Sequence, residues 1–362
     1  MSISRRAVAG LAAALLAAIA VPAAAQGPAV TVVADHLNNP RGVTTAPDGS
    51  IYVAEAGKAG PTCFGEGEEQ ACVAFSSSIT RYADGVATRV VTGLLSAGGR
   101  DGSFTTGADG VSVTANGTIY IAMTAAPDCM PTDPFPKRAR DQAGRILKYG
   151  PGGTLSPVVN LNAIECKSNP DGTDRNSNQY AVLALGNQKE IAVDAGGNVL
   201  YRVDGRHATL LTKLPRTNGH QCVPTSIAVG PDGAYYVGCL DEGAGPGKAR
   251  VFRVVPGEKP TVYRTGFRQI TGIAFGPDGS LYVTQLSSKG GRAPSGSVVK
   301  VSADGATRTV LGEGSLFFPA GAAVGRDGAL YVSNWSVLPG RPAPAGPFKG
   351  KNGQLVRIAP LA

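Results

Sequence analysis

The chain is poor in the residues that many binding and catalytic proteins depend on. It has one tryptophan, three methionines and three histidines, and aromatic residues fill only 6% of its 362 positions. With so few rings, and none interleaved with basic residues, there is no stacking platform for nucleic acid. Positive charge is in modest excess. The formal net charge of +8 falls to +6 when Arg5 and Arg6 are set aside, and the cations are scattered. Even the densest run, Lys137-Arg138-Ala139-Arg140, is flanked by Asp133 and Asp141, as expected of a solvated surface rather than a nucleic-acid footprint. No Cys-x-x-Cys occurs, and His36, His207 and His220 are far apart, which argues against a structural zinc site. There is no Gly-x-Ser-x-Gly elbow, and no serine has a histidine and an acid arranged for nucleophilic attack. His220, close to Cys222, is read as a structural or exposed histidine.

Only one long apolar run exists, from Ala7 to Val21, preceded by Arg5-Arg6 and followed by Ala23-Ala24-Ala25. A cationic start, an apolar run short for a membrane span and a small-residue cleavage site describe a secretory signal peptide. Residues 1–26 are therefore assigned to a leader and residues 27–362 to one domain. That domain is expected to be secreted or periplasmic, monomeric and without a membrane span. Six cysteines in an oxidising compartment point to disulfides.

What the chain does have is glycine and proline, 50 and 26 residues, punctuating short β-rich runs. Six segments align without a gap: Arg41–Glu55, Asp109–Met123, Tyr180–Asp194, Thr225–Cys239, Thr271–Gln285 and Ala320–Asn334. Each reads as strand, tight turn, strand. Turns such as Pro47-Asp48-Gly49, Asn116-Gly117 and Pro277-Asp278-Gly279 supply residues that tolerate the backbone angles of a hairpin. The second column of the repeat is small throughout (Gly42, Gly110, Ala181, Ser226, Gly272, Gly321), and the third is apolar. Such a strand fits where several crowd around one axis. A second hairpin follows most of the first ones, giving four strands per repeat and an all-β, six-bladed β-propeller. The sixth repeat ends at Val356-Arg357-Ile358, one strand short, and an orphan strand, Val30–Val33, precedes the first. The last blade is expected to be closed by this N-terminal strand, which removes the open sheet edges.

Insertions at 57–77, 125–143, 240–249, 287–296 and 336–353 fall between second and third strands, so they should cap one mouth of the central channel. On that face Cys222 and Cys239 bracket the fourth hairpin, Cys63 and Cys72 close one loop, and Cys129 and Cys166 belong to neighbouring blades. The expected bonds are Cys63–Cys72, Cys129–Cys166 and Cys222–Cys239, out of 15 conceivable pairings.

Two columns should ring the same mouth. Inner strands enter at Arg41, Asp109, Tyr180, Thr225, Thr271 and Ala320; second strands leave at Glu55, Met123, Asp194, Cys239, Gln285 and Asn334. Polar members converging on one axis form a candidate pocket: Arg41, Glu55, Asp109, Tyr180, Asp194, Thr225, Gln285 and Asn334. The other reading is that they satisfy backbone groups and one another. The polar link Asn169–Asn178 carries Asp171, Asp174, Asn176 and Asn178, oxygen ligands suited to calcium. It lacks EF-hand spacing, and turn capping by these side chains is the competing reading.

Several segments together resemble the ScyD/ScyE family of exported propellers, related in layout to NHL-repeat proteins. They are Leu37-Asn-Asn-Pro-Arg-Gly-Val43, Pro47-Asp-Gly-Ser-Ile-Tyr-Val-Ala-Glu-Ala-Gly57, the Cys63–Cys72 loop, Asn169-Pro-Asp-Gly172 with Ser177-Asn178, Val193-Asp-Ala-Gly-Gly-Asn198, Val223-Pro-Thr-Ser-Ile-Ala-Val-Gly-Pro-Asp-Gly233 and Arg250-Val-Phe-Arg-Val-Val-Pro-Gly257. The likeness spans the mature chain and implies fold and export. The chain departs from the family pattern at Asp109, where a histidine is common, and at Gln179-Tyr180-Ala181, where Pro-Tyr-Gly is common. Two functions are therefore expected to compete. One is a scaffold binding a small molecule, glycan or protein on the capped face. The other is a gluconolactonase-like hydrolase with one divalent ion, such as calcium, held among Glu55, Asp109, Asn178 and Asp194.

Overall fold

Each blade begins from its turn. In the first hairpin Asp48 Oδ1 accepts from the Ser50 amide at 2.8 Å, and Gly49 takes φ 93°. The same side-chain-to-backbone bond recurs at Asn116–Thr118, Asp232–Ala234, Asp278–Ser280 and Asp327–Ala329. Four of these turn aspartates also hold a cation from the third strand of their own blade: Arg81, Arg253, Lys300 and Arg357, at 2.7 to 3.2 Å. Such exposed pairs fix geometry more than they add stability.

The computed structural model describes residues 28–360 except 67–69, 103, 125–128, 130–134, 217–218, 242, 288–294, 339–345 and 347; the leader assigned to residues 1–26 lies outside them. The described strands form six antiparallel sheets, five of four strands and one of five, in a six-bladed propeller. In the first blade the order is Pro40–Thr45, Ile51–Glu55, Ala71–Ala83 and Val86–Gly98, with Thr62–Phe64 added beside the long third strand. The last blade holds Ala322–Val324, Leu330–Asn334 and Gly353–Ile358, and Val30–Leu37 completes it, Val30 facing Ile358 and Val32 facing Val356.

The small column explains how six sheets meet. A Cβ on Gly110 would lie 2.8 Å from Ala181 Cα, and one on Gly321 would lie 2.4 Å from the Val43 amide nitrogen. Backbones of neighbouring inner strands touch there, and the Gly321 amide donates to the Arg41 carbonyl across the closure. Away from the axis the blades pack face to face. Ile79 and Leu94 of the first meet Ile121, Met123 and Leu147 of the second, all buried, each contributing about 1.5–3 kcal/mol by burial.

All three expected disulfides are present, with Cα–Cα separations of 3.9, 5.5 and 4.9 Å for Cys63–Cys72, Cys129–Cys166 and Cys222–Cys239. One short helix not expected from the sequence, Leu161–Ser168, links the second and third blades. Asn160 caps it by accepting from the Ala163 amide, and Asn169 ends it in the left-handed region.

Candidate functional site at the channel mouth

The central channel is lined by the six inner strands and encloses about 90 Å³. That volume suits a few waters, not a drug-sized ligand. A ligand would therefore sit over the mouth, where the cap segments lie in part outside the described residues.

Of the two columns, only the entry column faces this space. Asp109, Tyr180, Thr225 and Thr271 line the channel. The threonines reach sideways to the next blade: Thr225 Oγ1 donates to the Ile270 carbonyl at 2.7 Å and Thr271 Oγ1 to the Pro319 carbonyl at 2.9 Å. Arg41 does the same, donating from Nη2 to the Thr105 carbonyl at 2.9 Å. Its Nε lies 3.4 Å from Asp109 Oδ1, too poorly aligned for a hydrogen bond, so both atoms are buried without a hydrogen-bond partner. Asp109 Oδ2 accepts from Thr124 Oγ1, which also lies 3.1 Å from Asn178 Oδ1. One hydroxyl carries one proton, so if it serves Asp109, the Asn178 amide must turn its NH2 toward Thr124. Burial pushes the Asp109 carboxyl up from its ordinary range, against the pull of Arg41. Burial likewise raises the Tyr180 phenol, whose hydroxyl has no hydrogen-bond partner among the described residues. Arg41, Asp109 and Tyr180 are thus the mouth groups with bonding capacity to spare.

The exit column does different work. Glu55 accepts from the Asn38 amide at 2.6 Å, Gln285 from the Arg268 amide at 2.8 Å and Asn334 from the Phe317 amide at 2.7 Å, each bond spanning 17 residues. Cys239 makes the same 17-residue closure covalently, to Cys222, and Asp194 takes the Asn178 amide 16 residues back, at 2.8 Å. These side chains clasp the incoming link of their own blade and do not line the channel. Link residues Asn39, Val223, Gln269 and Phe318 adopt φ between 44° and 51°, uncommon for any of them and least expected of β-branched Val223. Glu55 is further engaged by Thr80 Oγ1 at 2.5 Å and by Arg89 at 2.8 and 3.0 Å. Asp194 also accepts from Ser177, Gln179 and Gly197.

The acidic link is a capped turn. Asp171 accepts from the Thr173 amide and hydroxyl and from Asn198, and Asp174 Oδ1 lies 3.1 Å from the same hydroxyl, whose one proton serves the closer Asp171. Among the described residues no three His, Cys, Asp or Glu side chains converge closely enough for a metal ion. With Glu55 and Asp194 spent on clasps, the set Glu55, Asp109, Asn178 and Asp194 does not fit a shared divalent ion. Sequence reasoning missed Glu165, on the helix after the second blade. It is fully buried, and neither carboxylate oxygen has a partner. A Cβ on Gly197 would lie 2.8 Å from Glu165 Oε2 and 3.5 Å from Asp194 Cγ, so two carboxyl groups flank one bare backbone position. Burial first, then Asp194, Asp171 and Asp174, push the Glu165 carboxyl up to about 7.

No family profile matches the chain, and no curated protein matches it. Solved structures do. The luciferin-regenerating enzyme aligns at 13% identity over 93% of this chain and 96% of that one, with a TM-score of 0.55. The calcium-binding protein regucalcin of Agrobacterium tumefaciens aligns at 14% over 92% and 96%, TM-score 0.53. A putative oxidoreductase of Thermus thermophilus aligns at 15% over 92% and 100%, TM-score 0.53. At such identities the likeness shows the six-bladed fold alone.

Proposed function

We propose that this chain is an exported binding propeller of ScyD/ScyE type, which receives a small molecule, glycan or protein on its capped face, above Arg41, Asp109 and Tyr180. The observation that carries this reading is the incomplete Arg41–Asp109 pair. Two buried charged groups 3.4 Å apart, each with an unmet hydrogen-bonding atom, cost stability unless a further partner completes them. A polar ligand donating to Asp109 and accepting from Arg41 would do so. Three disulfides support residence in an oxidising compartment, as does the apolar segment at 7–21.

The test is native mass spectrometry of the protein recovered from its export compartment, beside Arg41→Gln and Tyr180→Phe variants. A co-purifying mass that is present on the wild type and lost from both variants is the expected result. If no adduct appears, or if both variants retain it, the mouth is not the binding site. The competing hydrolase reading makes a separate demand: one tightly held divalent ion per chain on elemental analysis, with lactone hydrolysis that disappears in chelator.

A further inference from the structure

A second feature lies on the opposite face, where the turns of the second and third blades meet around a cleft of about 610 Å³. Two departures from the repeat coincide there. At the eleventh position of the hairpin, Ile51, Ile119, Tyr235, Leu281 and Leu330 are apolar, but the third blade has Glu190. Glu190 is 1% exposed, and neither carboxylate oxygen has a hydrogen-bond partner. Its neighbours are Tyr120 and Lys148 of the second blade and Asp204 of its own. The Tyr120 hydroxyl faces Glu190 at a geometry short of a well-formed hydrogen bond. The second departure is Lys148. In four blades the third-strand cation opposite the hairpin tyrosine is tied to the turn aspartate. Lys148 sits opposite Tyr120 in the same way, but its turn carries Asn116. Lys148 therefore has neither an ion pair nor a hydrogen bond among the described residues.

One junction thus combines a buried carboxylate without a partner and an ammonium group released from its usual tie. The intervening Tyr120, with Asn116, Gln188 and Thr118, lines the cleft. We propose that this junction is a binding site for a hydroxyl-rich ligand, one or two sugar rings. When a ligand binds, the Tyr120 hydroxyl turns inward to donate to Glu190, which completes the carboxylate and leaves the phenol's lone pairs for a ligand hydroxyl. Lys148 donates to ring or hydroxyl oxygens, the Asn116 NH2 also donates, its oxygen being held by Thr114 and Thr118, and the Gln188 amide serves either role. Glu190 has no access to the ligand and acts as a positioning residue for Tyr120. Its burial cost, which the other five blades avoid, is what marks it as kept for something other than folding.

The experiment is saturation-transfer NMR on the full chain with D-glucose, N-acetyl-D-glucosamine and D-glucuronate. At least one should bind with a roughly millimolar Kd, as expected of a ligand this small. Lys148→Met and Glu190→Gln should each weaken that binding by about tenfold, the scale of losing one charge-assisted contact. Glu190→Ile, which restores the repeat, should weaken binding and raise the melting temperature. Failure of all three sugars to bind, or an unchanged Kd in Lys148→Met and Glu190→Gln, would overturn the proposal. So would a lower melting temperature for Glu190→Ile, which would make the carboxylate a structural anchor. Should Glu190→Ile not fold, the carboxylate is equally shown to be structural. The outcome is independent of the channel mouth.

Discussion

Replacing Glu165 by glutamine should make the protein more stable at pH 8 and leave it nearly unchanged at pH 4.5. In the unfolded chain this carboxyl titrates near its ordinary 4.5; in the folded protein burial and three nearby carboxylates raise it to about 7. The folded state therefore binds the proton more tightly. Its stabilising effect is fully present below pH 4.5 and is lost as pH rises through 7, above which the protein carries a buried charge without a partner. At about 1.4 kcal/mol per tenfold change, the gap between 4.5 and about 7 sets a ceiling of roughly 3.4 kcal/mol. Side-chain relaxation and nearby solvent reduce this to about 1–2 kcal/mol. Glu165→Gln keeps the shape and removes the titration, so the variant should gain that amount at pH 8. Urea unfolding of both proteins at half-unit steps from pH 4.5 to 8 measures it. A stability difference that stays flat across the range, or a glutamine variant less stable throughout, would refute the argument.

Two further outcomes follow from packing. Glu55→Ala leaves the Asn38 amide and Thr80 hydroxyl without their acceptor and Arg89 without its ion-pair partner, and should lower unfolding free energy by about 2–4 kcal/mol, while leaving any ligand affinity at the mouth unchanged. Gly321→Val places a Cβ 2.4 Å from the Val43 amide nitrogen and 2.5 Å from the Arg41 carbonyl oxygen. It should cost at least about 2 kcal/mol, seen as a lower denaturation midpoint.

Most of the architecture was legible because the hairpin is gapless. The turn residues, the small column and the orphan strand at Val30 each carry a steric instruction that acts locally, and together they fix blade number and closure. Cysteine positions were readable for the same reason. The roles of the polar columns were not. Position in a repeat places Glu55 or Asn334 at a strand exit, but the partner is a backbone amide on a link whose left-handed residue is Asn39 in the first blade and Val223, Gln269 or Phe318 in others, so no common glycine or asparagine signature marks it. One clue was present. Cys222 and Cys239 are separated by the same 17 residues as the three longest clasps, so the covalent pair was a template for the hydrogen-bonded ones. Glu165 escaped notice because the helix carrying it lies outside the repeat, whereas Glu190 stands out in its column once the six hairpins are stacked.

The pairing of Val30–Leu37 with Gly353–Ile358 has a consequence for how the molecule is made. Synthesis delivers the chain from its beginning, so Val30–Leu37 must wait, unmatched, until Gly353–Ile358 has been made. Five blades can assemble in order, but the disc stays an open arc whose two raw borders remain adhesive. A variant lacking Gly353–Ile358 would leave Val30–Leu37 without its mate. Ring closure thus depends on two strands more than 300 residues apart serving as lock and key for one seam.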